Sequence, residues 1–417
     1  MTFKQRAGTA DRQGTTGSLY YGYIVVVAAF IIAVVAEGLL YSFGIFFKPL
    51  LDEFGWTRAV TSGAYSLIGL VKVPVAFIAG ALCDRFGSKQ VLAASGVFIG
   101  LGILLLSRVN EVWQIYLFYG VLVGIGISLY WTPLVAIIPR WFFKKRVMMM
   151  AVVTTGIGIG QLTLPPLANW LITLYDWRTA ALIIGSVSTG IIVVTAQFVR
   201  NFSGQDGLSG STGREQSRLL TDASALTMRQ AIRTRKFWLY CGMFIPWMFG
   251  LSTVAVHGVA FAIGIGISPA SAANMWLIIG VTGIIARLLT GHLSERVGMK
   301  PVLVVSFVFM PLAFLSLLAT RDVYMFYLFA FLFAIGYGAF EILQSPIVAE
   351  LFGITSLGAI FGIALSISSV GVILGPVVAG RIFDITGSYQ IAFLICAAMA
   401  LFSLFASLSL PLPHKRF

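Results

Sequence analysis

Gly80-Ala-Leu-Cys-Asp84-Arg85-Phe-Gly87-Ser-Lys89 and Gly291-His-Leu-Ser-Glu295-Arg296-Val-Gly298-Met-Lys300 each follow a long apolar run, 211 residues apart. Both place glycine, acid, arginine, glycine and lysine at the same spacing. The same register relates Gly160 and Pro165, in GIGIGQLTLPP, to Gly371 and Pro376, in GVILGPVVAG. The chain therefore reads as a duplication, each half about 200 residues long. Each acidic-basic stretch is expected to form a turn between two hydrophobic helices at one membrane face, where its charges lock helix ends together and act as a gate. Parallel repeats of membrane helices place a candidate site between the two halves.

The composition agrees with a membrane protein. Of 417 residues, 59% are hydrophobic and only 10% charged, which no ordinary soluble globule carries. A hydrocarbon core about 30 Å thick needs roughly 20 apolar residues per helical span. Twelve segments meet that need, near 21–47, 58–83, 90–107, 112–139, 147–172, 179–199, 237–263, 271–293, 301–319, 323–349, 355–380 and 388–410. The expected class is all-α and polytopic, with twelve transmembrane helices in two pseudo-symmetric six-helix halves. The expected organisation is a cytoplasmic segment 1–20, an N-terminal bundle 21–199, a linker 200–236, a C-terminal bundle 237–410 and a tail 411–417. In the linker, SGQDGLSGSTG is flexible, and Thr227 with Gln230 at capping-box spacing predicts a short basic helix before span seven.

A formal charge of +13 invites a nucleic-acid reading, but its distribution assigns it to topology. Twenty Lys and Arg residues fall on the side that holds both termini and six on the other. The positive-inside rule puts the termini in the cytoplasm, in a bacterial inner (plasma) membrane, with no nucleic-acid partner. Cys83, Cys241 and Cys396 lie at no metal spacing, and the polar start followed by a long apolar run reads as a true first span rather than a signal peptide. No Walker loop is present, and GIGIG falls inside a span rather than after a strand, which removes nucleotide and dinucleotide readings. No enzyme activity, cofactor or metal is expected.

The two motifs, twelve spans and central linker resemble the major facilitator superfamily over essentially the whole chain. Within it, three stretches are similar to the monocarboxylate transporter group and its bacterial relatives, including oxalate:formate antiporters. They are Tyr21-Gly-Tyr23-Ile-Val-Val-Val-Ala-Ala-Phe30 with Tyr41-Ser-Phe-Gly-Ile-Phe-Phe47, then Trp141-Phe-Phe-Lys-Lys-Arg146 up to Gly156, then His257, Gly266-Ile-Ser-Pro269 and Arg287. In that group the span-eight arginine binds the substrate carboxylate, and the resemblance carries this role to Arg287. Animal members add an aspartate one turn earlier and a lysine in span one, where this chain has Gly283 and Tyr41. Oxalate antiporters use a lysine in span eleven, which residues 355–380 lack.

A charge at mid-span costs about 2.5–3.5 kcal/mol on insertion scales, so ionisable residues there are functional candidates. They are Glu37, Lys72, His257, Arg287 and Glu341. Arg287 lies roughly 24 Å from the outer end of span eight, and Glu341 sits at matching depth in span ten. Arg287 can serve a substrate carboxylate, or Glu341, or exchange between them. Glu37 and Lys72 are expected either to form a salt bridge or to serve proton coupling and a second anionic group. Glu341 is a further candidate proton carrier. His257 is either a packing residue or a proton entry point, and Tyr41, Tyr119 and Tyr337, with Tyr130, Trp131 and Trp247, are candidate cavity linings. The function expected is secondary active transport of small organic anions, monocarboxylates, by alternating access and proton symport, as a monomer. The alternatives are an anion exchanger or carrier of another solute, and a membrane solute sensor on a transporter fold.

Overall fold

The computed structural model describes residues 13–142, 146–200, 226–353 and 356–412; the side chains of residues 13–20, 77, 80, 81, 84, 135, 136, 139, 140 and 146–148 lie outside that description. The described residues contain twelve helices long and apolar enough to cross a membrane. In the first half these are Gln13–Tyr41 continued by Phe43–Phe54, then Arg58–Phe86, Ser88–Leu106, Val112–Trp141, Arg146–Leu174 and Trp177–Ala196. In the second half they are Arg235–Gly264, Pro269–Val297, Met299–Leu318, Val323–Phe352, Leu357–Thr386 and Gln390–Ser409.

Local chemistry sets most of the starts. Thr57, Asp176, Thr234, Ser268 and Asp322 cap spans two, six, seven, eight and ten, each side chain accepting from a first-turn amide. These caps satisfy backbone donors that the helix cannot.

The repeated motifs are less turn-like than expected. Residues 80–86 and 291–297 remain helical, and only Gly87 and Gly298 break the chain before the next span starts. Their φ,ψ values of 85°,151° and 89°,161° lie in a region that disfavours any side chain. One glycine therefore makes each connection, which is why spans two and eight run past the boundaries read from hydropathy. Lys300 donates to the carbonyls of Leu408 and Leu410, both at 2.9 Å, and so ties span nine to the end of span twelve. Arg85 lies over the Phe86 ring, and Arg296 and Glu295 are exposed. The Asp84 side chain and its gating role lie outside the described residues, as does Gly80 beyond its helical backbone.

The duplication is visible in the packing. Spans five and one pack together in the first half, and spans eleven and seven in the second. A Cβ on Gly160 would overlap the backbone of Val34 and Gly38, and one on Gly371 that of Ile245 and Phe249. Val34 to Ile245 and Gly38 to Phe249 are again 211 residues apart. Glycine permits the same close backbone approach twice, in a medium where packing replaces the hydrophobic effect. The halves meet where span two packs on eleven and span five on eight.

The symmetry is locally broken in span four, whose Tyr116–Val123 segment is π-helical. Residues 201–225 of the expected linker lie outside the described residues; beyond them, Thr227 and Gln230 close a capping box on the helix Met228–Ile232. Leu226 donates to the Phe352 carbonyl at 2.9 Å, which ties the end of this segment to span ten.

Candidate functional site

Arg287 sits on the face of span eight that meets spans five and ten. Small residues make the room: a Cβ on Gly158 would lie 2.9 Å from Nη1, and Gly338 packs on the backbone of Gly283. The guanidinium is buried, its side chain 2% exposed against 20% for Glu341. Nε donates to Glu341 Oε2 at 2.7 Å, and Nη2 lies in ion-pair contact with the same oxygen at 2.5 Å. Neither Nη1 nor Nη2 completes a hydrogen bond within the protein. Glu341 thus holds the arginine through one oxygen, not through the planar two-oxygen fork that a guanidinium can accept. Nη1 stays outside the pair.

Two tyrosines complete this cluster and join the halves. Tyr337 donates to Glu341 Oε1 at 3.4 Å, and Tyr41 of span one lies 3.3 Å from Tyr337 Oη. Because the single Tyr337 hydrogen goes to an acceptor-only carboxylate, Tyr41 must donate to Tyr337. Trp247 stacks on Tyr337 with ring centres 5.2 Å apart, and Trp276 packs on Tyr41 at 4.8 Å. Both indole N–H groups are buried without an acceptor. The neighbourhood of the tyrosine pair is therefore rich in unspent donors.

Glu37 lies on span one and accepts a short hydrogen bond from the Tyr130 hydroxyl. The expected salt bridge to Lys72 is not formed. Among the described residues the ion pairs are Lys48–Asp52, Arg178–Glu53 and Arg287–Glu341, while Lys72 stays half-buried within electrostatic range of Glu37. Glu37 faces span four, where a phenol meets its carboxylate first. Arg287 and Glu341 are also within electrostatic range of Glu37, so the acids of the two halves form one charged neighbourhood.

His257 and Tyr119 lie elsewhere. Tyr119, inside the π-helical turn, donates to the Leu40 carbonyl at 3.0 Å and packs on Phe43 at 4.4 Å. His257 is fully buried at the end opposite the Gly87 and Gly298 connections, against Phe47, with Nε2 2.8 Å from the Pro376 carbonyl and Nδ1 2.9 Å from Tyr389 Oη. The carbonyl can only accept, so Nε2 carries the proton and Tyr389 donates to Nδ1. Burial raises the Tyr389 phenol above its ordinary pKa and keeps it a donor. Arg58 of span two in turn donates to Tyr389 at 2.7 Å and lies over the Phe383 ring. Asp384 accepts from the backbone amides of Arg58 and Ala59, and Ser62 donates to the Pro376 carbonyl at 3.0 Å.

Sequence reading missed this junction of Arg58, Asp384 and Tyr389, although a signal existed. Gly380-Arg-Ile-Phe-Asp384-Ile-Thr-Gly387-Ser388 repeats the glycine, aspartate, glycine and serine spacing of Gly80 to Ser88.

Two repeated six-helix bundles meeting at a buried charged cluster are the plan of a secondary transporter. The sequence profile of the Major Facilitator Superfamily matches residues 26–298 and again 249–416, and the chain belongs to that superfamily. It is similar to monocarboxylate transporter 13 of Bos taurus, with 27% identity over 397 residues covering 94% of this chain and 90% of that protein. It is likewise similar to monocarboxylate transporter 12 of Homo sapiens, with 25% identity over 407 residues covering 92% and 79%. Among solved structures, a mutant of the nucleoside transporter NupG aligns with a TM-score of 0.73 at 15% identity, covering 93% of this chain and 100% of that one. A bacterial homologue of the human lysosomal transporter Spinster, inward-facing and unoccupied, aligns at 0.70 and 16% identity, covering 93% and 96%. At these identities the solved structures share the fold.

Proposed function

We propose that the chain is a secondary transporter of small monocarboxylates, with Arg287 as the group that receives the substrate carboxylate. The observation that carries this reading is a buried, permanently charged guanidinium held by a single carboxylate oxygen, with Nη1 left without a partner. An anion presenting two oxygens would satisfy Nη1 and Nη2 together and release Glu341, which holds only Oε2 against them. The unaccepted indole donors of Trp247 and Trp276 and the relatedness to monocarboxylate transporters support an anionic cargo.

Alternating access follows from the division of the molecule: the anion binds between halves that rock about it. Glu341, once freed, or Glu37 carries the coupled proton, as the two carboxylates of the charged neighbourhood that Arg287 shares. The protein resides in an inner (plasma) membrane with both termini cytoplasmic, since basic residues crowd that side.

Uptake of labelled monocarboxylates into proteoliposomes tests the reading. Accumulation driven by an inward proton gradient, and abolished by collapsing it, is the expected result. Uptake only against a preloaded counter-anion would replace symport by exchange. Saturable binding with no flux would make the protein a sensor.

A further inference from the structure

Gln161 is fully buried in span five, and neither its Oε1 nor its Nε2 has a hydrogen-bond partner in the protein. An unsatisfied buried polar group is costly, and here one side chain leaves both an acceptor and a donor unspent. Its position on the helix says which way it faces. Gly158 and Leu162 meet span eight, and Gly160 and Leu164 meet span one. At about 100° per residue, position 161 falls between those two faces. The opposite side of span five carries the exposed residues Val152, Thr163 and Trp170. Gln161 therefore points inward, between the helix of Glu37 and the helix of Arg287. It is one turn, about 4.5 Å along the axis, from the Gly158 backbone that faces Arg287 Nη1.

We propose that Gln161 is a specificity-determining residue that reads the far end of the substrate, and that the preferred cargo is a short carboxylate ending in a carboxamide-like group. The proposal rests on Arg287 binding the near carboxylate. A primary amide offers a donor and an acceptor side by side, and its complement offers the same two in reverse: a carboxamide, a ureido group or a neutral carboxyl. A simple alkanoate leaves both Gln161 atoms unmet, and a ketone meets only Nε2. The terminal carbons of an extended four-carbon chain lie roughly 4 Å apart at about 1.5 Å per bond, comparable to the rise along span five from Gly158, which faces Arg287, to Gln161.

Three acids of equal chain length separate the possibilities: succinamate, levulinate and pentanoate present a donor and acceptor, an acceptor alone, and neither. Competition binding to the purified full-length protein should rank them in that order, with succinamate about 5–150-fold above pentanoate, the range of one buried polar group left unpaired. Gln161→Met, which keeps the unbranched shape, should bring that ratio close to one. A ratio unchanged in Gln161→Met, or three equal affinities in the wild type, would overturn the assignment while leaving the anion reading intact. The wild-type ranking serves even where the variant fails to fold. Failure of all three acids to bind would instead overturn the anion reading, and this inference with it.

Discussion

The carboxylate of Asp384, at the end of span eleven, accepts hydrogen bonds at 2.9 Å from the backbone amides of both Arg58 and Ala59, the first residues of span two. The acid of one half thus caps a helix of the other, satisfying two of its four orphan donors and lying at the positive end of its dipole. Gly380, one turn back, has its Cα against the Arg58–Ala59 backbone, where any larger residue would collide. Around this contact Arg58, Tyr389 and His257 form a hydrogen-bonded chain that ends on the Pro376 carbonyl. The arrangement closes the end of the molecule opposite the Gly87 and Gly298 connections.

A contact made in one state and broken in the other shifts the equilibrium by its differential energy. Asp384→Ala should loosen this closure by about 1–3 kcal/mol, or roughly 5–150-fold in population, and Asp384→Asn by less, because one acceptor survives. Thiol labelling of a Ser62→Cys reporter, buried under span eleven in the closed form, measures this directly. A labelling rate that stays put would show that apolar packing between spans two and eleven holds the closure alone.

Arg287→Lys keeps the charge but replaces a planar fork with a point donor. Carboxylate binding should fall by more than tenfold, about 1.4 kcal/mol or more, read by calorimetry or by ligand-induced thermal stabilisation. Affinity equal to wild type would make Arg287 a structural partner of Glu341.

The twelve spans and the duplication were legible because apolar length and repeat spacing are properties of the sequence itself. Arg287 and Glu341 were legible as costly charges at matching depth. The partner of Glu37 was not: Lys72 is the more attractive charge on paper, but whether Tyr130 or Lys72 meets the carboxylate depends on which face of span one turns to span four. Gln161 and Trp276 carry no charge, so nothing in the sequence separates them from ordinary core residues until their polar atoms are seen to lack partners. His257 is ionisable, but its neighbours come from spans one, two and eleven and the start of span twelve, up to 210 residues away, and only the fold brings them together.

Glu37→Gln should leave monocarboxylate binding largely intact and weaken uptake driven by a pH gradient, as expected of a proton carrier. Tyr130→Phe removes the hydrogen bond that the Glu37 carboxylate accepts, so the pH profile of uptake should differ from that of the wild type. Initial rates in proteoliposomes across pH 5–8 give both readouts. An identical pH profile in wild type, Glu37→Gln and Tyr130→Phe would transfer the role to Glu341.

Gly160→Ala and Gly371→Ala test the duplication itself. In each, the added methyl would meet a backbone carbonyl of the facing helix, Val34 in the first half and Ile245 in the second, so the clash cannot be relieved by a side-chain rotation. The helices must separate, and small-to-large changes in close-packed contacts typically cost about 1–3 kcal/mol. The two variants should therefore lower the thermal unfolding temperature by similar amounts. Gly190→Ala, where a Cβ would meet nothing within 4 Å, should leave it unchanged or slightly raised, because alanine favours a helix over glycine by about 1 kcal/mol. Unequal losses at Gly160 and Gly371 would show that the symmetry of the packing is not a symmetry of its energetics.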